Sequence, residues 1–96
     1  MLKGGVCMTR YLITSVHAPE ECLRAMDEEL AKGSAVLDKF VYGCREGDHT
    51  GYAIVDAKSR SDALALVPDF LQDNACVAKV DKFTPGEVKS LHAKAA

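Results

Sequence analysis

The stretch Phe40-Val41-Tyr42-Gly43-Cys44-Arg45-Glu46-Gly47-Asp48-His49-Thr50-Gly51-Tyr52-Ala53-Ile54-Val55-Asp56 decides the fold. Its two ends, Phe40 to Cys44 and Gly51 to Asp56, are short and rich in aromatic and β-branched side chains, so they read as strands. Between them Arg45 to Thr50 supplies Gly and Asp, which accept turn conformations, and the whole reads as a hairpin. Upstream, Arg10 to His17 is a continuous β-branched and aromatic run, the first strand. Ala18-Pro19-Glu20-Glu21 then sets Pro and two carboxylates in a first helical turn, where the missing N–H and the helix dipole favour them. Cys22, Leu23, Met26 and Leu30 recur at helical spacing, and Gly33 is a stop after which a helix can resume through Ser34 to Asp38.

Downstream, Ser59-Arg60-Ser61-Asp62 offers N-cap side chains ahead of Ala63, Leu64, Val67 and Leu71, a second helix shortened or kinked by Pro68. Cys76 to Phe83 alternates Val77, Lys79 and Asp81 with Cys76, Ala78 and Val80, a fourth strand. Thr84-Pro85-Gly86-Glu87 has capping-box spacing and opens a short C-terminal helix carrying Val88 and Leu91. The order strand-helix-strand-strand-helix-strand predicts an α+β, ferredoxin-like βαββαβ domain over residues 9–96, with residues 1–8 as a flexible tail. Its antiparallel sheet carries two helices on one face, and right-handed crossovers put the first strand between the third and the fourth.

The 96 residues suffice for one small core and leave no room for separate cofactor and catalytic domains. Twelve Lys and Arg against fourteen Asp and Glu, with no basic stripe interleaved with aromatics, argue against nucleic acid as a partner. The longest apolar runs are far too short for a bilayer, and the first residues lack the apolar core of a secretory signal, so a cytoplasmic protein without a membrane partner is expected. The four cysteines, Cys7, Cys22, Cys44 and Cys76, are irregularly spaced and read as reduced thiols. CxxC, HExxH, Walker and GxGxxG signatures are all absent, and no cofactor is expected.

In the expected topology three connections share one end of the sheet. They bring His17 and Cys22 together with Cys44, Asp48 and His49, and with Asp73 and Cys76. Thiols, imidazoles and carboxylates converging from distant sequence suit a soft or borderline metal such as zinc or copper, and a module using His17, Cys22, Cys44 and His49 follows. The same residues suit acid/base chemistry on a small organic acid, of isomerase or lactone type, with His17 as base or acid, Asp48 or His49 as its partner, and Tyr42, Cys44 and Tyr52 as binding wall. A third reading is a ligand-binding or interaction domain without chemistry. Packing also accounts for Cys22 on a helix stripe and Cys76 at a strand start, and Asp48 with His49 also serves as hairpin shaping.

Alternation in the first and third strands sets Tyr11, Ile13 and Ser15 against Leu12, Thr14 and Val16, and Ala53 and Val55 against Tyr52 and Ile54. Both faces are substantially apolar, two helices cover only one, and a twofold homodimer packed sheet to sheet is the economical cover. The stretch from Gly43 through Ser59, followed by Asp62-Ala63-Leu64 up to Pro68, resembles the small dimeric α+β-barrel proteins. Its rhythm is similar to their YCII-like and muconolactone-isomerase-like branches. That resemblance implies a homodimer whose barrel holds a small organic acid or aromatic ligand, with His17 and Asp48 in the places of a His and an Asp of acid/base type.

Overall fold

The computed structural model describes residues 8–95. The tail expected at residues 1–8, including Cys7, lies outside them except for Met8. Four strands, β1 (Thr9–Val16), β2 (Phe40–Tyr42), β3 (Thr50–Ala57) and β4 (Ala75–Lys79), form one antiparallel sheet in the order β2-β3-β1-β4. Helices α1 (Cys22–Lys32), α2 (Ser34–Leu37), α3 (Arg60–Leu64) and α4 (Pro85–Ala95) complete an α+β fold. The two eight-residue strands β1 and β3 pair along their whole length, from Thr9 opposite Ala57 to Val16 opposite Thr50.

Period-two alternation sorts the sheet. Tyr11, Ile13, Phe40, Ala53, Val55, Ala57 and Val77 are buried on one face against Ala25, Ala63, Val67 and Leu71. The other face is open: Val16, Val41 and Ile54 are 53%, 67% and 64% exposed. Ser59 caps α3 by accepting the Asp62 N–H at 3.1 Å, and α3 ends after five residues. The shortening expected from Pro68 is seen: the chain passes Pro68 and continues as a 3-10 turn, Asp69–Asn74, because Pro cannot continue the helical ladder. The turn is held to α1 by the Arg24 guanidinium, 3.8 Å over the Phe70 ring. The capping box opens α4: Thr84 N–H donates to Glu87 Oε1 at 3.0 Å and Glu87 N–H to Thr84 Oγ1 at 3.1 Å. From Asp81 through Lys94 every residue is exposed, so α4 stands off the core.

One expectation for α1 is corrected. Its inward side is not built on Leu23 and Leu30, which are 74% and 52% exposed, but on Ala25 and Glu29. Small Ala25 lets the helix approach the sheet, which rotates the two leucines outward. Glu29 is thereby wholly buried, and neither carboxylate oxygen has a hydrogen-bond partner among the described residues. Burial pushes its carboxyl up to about 7 from an ordinary 4.5, against a weaker opposing pull from Lys32. A carboxyl raised in this way carries no ionisation penalty while it is protonated in both states, and it lowers stability progressively as pH rises from its unfolded value through its folded value. Glu29→Gln is therefore expected to gain on the wild type between pH 5 and 8, on the order of 3 kcal/mol by the upper limit. Urea unfolding of both proteins at the two pH values measures it; parallel changes would place the carboxylate in water.

Candidate metal centre

The site forms where β1 ends and the β2–β3 hairpin turns. The His17 N–H donates to the His49 carbonyl at 3.0 Å, which continues the β1–β3 pairing one residue past the strands and fixes the two histidines relative to each other. The hairpin loop is a 3-10 turn, Cys44–Glu46, closed by Gly47 at φ 86°, a left-handed conformation open to glycine. Gly43 is needed for a second reason: a Cβ there would lie 2.8 Å from the Asp48 carbonyl oxygen. Both glycines let the loop fold tightly enough to set Cys44 and His49 side by side. On the other side of the site, Pro19–Glu21 makes a 3-10 turn in which the Ala18 N–H donates to Glu21 Oε1 at 2.8 Å, and this places Cys22 at the first position of α1.

Four side chains meet as a result. His17 Nε2 lies 3.2 Å from Cys22 Sγ and 3.2 Å from Cys44 Sγ, and Cys22 Sγ lies 3.2 Å from His49 Nδ1. One ligating atom from each of His17, Cys22, Cys44 and His49 lies within 4.8 Å of all the others. A tetrahedral zinc, with about 2.3 Å to sulfur and about 2.0–2.1 Å to nitrogen, sets its ligand atoms about 3.3–3.8 Å apart. The four atoms thus surround a volume of the right size, reached by shifts of an ångström or less. His17 is buried, and the other three are partly exposed.

The electrostatics suit a cation. Burial, and then the neighbouring His49, hold His17 below the usual histidine range, while Glu21 pulls the other way. Burial, the Cys22 thiol and, more weakly, Asp48 push the Cys44 thiol up. The site therefore resists both an imidazolium and a bare thiolate, and a bound dication is the charge that would relieve the second. Cys22, Cys44 and Cys76 are all free thiols.

The other residues singled out in the sequence are not among the four. Asp48 accepts from Thr50 Oγ1 at 2.6 Å and from the Tyr52 hydroxyl at 2.5 Å, which hold its carboxyl below the usual range; no hydrogen bond joins it to His17. The Tyr42 ring centroid is 6.2 Å from that of His17, so Tyr42 walls the site, whereas Tyr52 is occupied with Asp48. Cys76 belongs to the opposite face of the sheet, opposite Thr14 and exposed, and Asp73 is exposed; neither is among the four clustered residues. Cys76→Ser is accordingly expected to leave metal content unchanged in elemental analysis. Sequence reading missed Glu29, whose signal is its spacing of three, then four, residues along Cys22, Ala25 and Glu29. Comparison with known protein families, with curated proteins and with solved structures returns no match.

Proposed function

We infer that this is a small metal-binding domain whose centre takes one zinc ion through His17, Cys22, Cys44 and His49. The observation that carries the reading is the convergence of four ligand atoms, from two distant stretches of chain, within 4.8 Å. Two sulfurs and two imidazole nitrogens are a donor set for zinc, and four protein ligands leave no open position, as in sites that hold structure or store metal rather than catalyse. Acid/base chemistry by His17 and Asp48 has less support, since the His17 ring faces the two thiols and Asp48 is engaged by Thr50 and Tyr52. Native mass spectrometry with elemental analysis of the same untagged sample tests the metal reading. One zinc per chain, lost in Cys44→Ser, is expected; a metal-free protein that stays metal-free after zinc addition overturns it.

A second reading concerns the assembly. The exposed Val16, Val41 and Ile54 on the open face favour a second copy packed sheet to sheet, the ferredoxin-like dimeric α+β barrel that the hairpin rhythm implies. Such pairing is compatible with the metal centre, whose ligands approach from the helix-covered side and the end of the sheet. Among the described residues no helix is long and apolar enough to cross a membrane.

A further inference from the structure

Behind the four ligands lies a buried polar layer that the metal site alone does not use. His17 presents Nε2 to the two sulfurs, so its Nδ1 points away from them, and that nitrogen is buried without a partner. Two residues back on the same inward face of β1, Ser15 Oγ is also buried and unpartnered. Across the sheet Ser15 stands opposite Gly51, and Gly51 opposite Tyr42. The Tyr42 ring leans over Gly51, with Cε2 3.0 Å from where a Cβ would stand, and so extends toward β1. Glu29 has zero exposure and two unpartnered oxygens, and it lies close enough to Tyr42 for its charge to add to the burial that pushes the phenol up.

The placement of Glu29 follows from helix geometry. Cys22 and Glu29 are seven residues apart on one side of α1, about 10 Å along the axis. Helical side chains lean toward the N-terminus, so the Glu29 carboxylate reaches back toward the Cys22 end, where His17 lies. A histidine that binds a metal through one nitrogen characteristically donates its other N–H to a carboxylate or carbonyl, which fixes the tautomer and the ring's aim.

We propose that Glu29 is the positioning residue of the metal centre: with the ion bound, its carboxylate accepts the Nδ1–H of His17 and holds Nε2 toward the metal. The proposal rests on the metal reading above and assigns a task to a side chain that otherwise only destabilises the fold. An unpartnered buried carboxyl is costly, so a purely structural view and the positioning view predict opposite patterns. Glu29→Leu is expected to raise the melting temperature of the metal-free protein and, at the same time, to weaken zinc binding by about ten- to a hundredfold. Glu29→Gln, whose amide oxygen still accepts, is expected to retain affinity within a few-fold.

Zinc affinities come from competition with a chromophoric chelator, with melting curves on the same metal-free samples. Nitrogen-15 spectra of the zinc form give a readout that needs no variant: a slowly exchanging Nδ1–H on His17 in the wild type. Unchanged zinc affinity in Glu29→Leu overturns the proposal, as does an equal loss in Glu29→Leu and Glu29→Gln, or a His17 bound through Nδ1. A wild type that takes up no zinc overturns the metal centre itself, a different result from all of these.

Discussion

Free zinc at about one hundred times its dissociation constant is expected to raise the melting temperature of the wild-type domain by roughly 10–20 °C. An ion that binds the folded chain alone contributes about 2.7 kcal/mol at that excess. For a domain of this size each kcal/mol moves the melting point by about 4–8 °C. The gain arises because the ligands belong to two stretches, His17 with Cys22 and Cys44 with His49, which the unfolded chain does not hold together. Each thiol that binds as thiolate releases a proton, so the stabilisation grows with pH, about tenfold in affinity per pH unit for each proton released. Cys44→Ser and His49→Ala are expected to abolish the shift, while Cys76→Ser retains it. Melting curves across a zinc titration at two pH values decide this, and a wild-type curve indifferent to zinc would remove the centre.

The second large effect separates two isoleucines. Ile13 has zero exposure and faces Ala53 and Val77 across its neighbouring strands, so Ile13→Asp buries a charge without a partner in the centre of the core. Its expected cost is about 4 kcal/mol or more, a large part of the total stability of a domain this small. Ile54, 64% exposed on the open face, is expected to tolerate Asp in the single chain. In the proposed dimer the same change sets a charge against the partner's apolar sheet and weakens association at least a hundredfold, about 2.7 kcal/mol. Circular dichroism and sedimentation of both variants give the answer: an unfolded Ile13→Asp beside a folded, monomeric Ile54→Asp. A monomeric wild type would falsify the face-to-face pairing, and a folded Ile13→Asp would contradict the placement of the core.

The strands were legible because alternation carries their orientation: Ile13 and Ala53 share a face in the sequence pattern and pair across β1 and β3 in the structure. The meeting of His17, Cys22, Cys44 and His49 was legible too, since strand direction alone brings the ends of β1 and β2 together. Cys76 misled because chain order brings it to the same end, whereas its pairing with Thr14 turns it to the opposite face. Along α1 the strongest apolar residues, Leu23 and Leu30, outweighed the weaker signal of Ala25. A helix that packs closely through a small residue buries whatever lies one turn further, here Glu29. Asp48 was ambiguous because a turn carboxylate with Thr two and Tyr four residues on has hydrogen-bond donors within its own hairpin.

The sheet's margins carry one more consequence. Both edge strands are short, three residues in β2 and five in β4, while the long strands lie inside. Exposed edges are where chains add to one another strand by strand, the route to fibrils and swapped assemblies, and brief ones offer few backbone groups to an incoming chain. Association is thereby steered away from the margins and toward the broad apolar surface. A surface of that kind is consumed by its first occupant, so the proposed assembly ends at two and has no direction in which to lengthen.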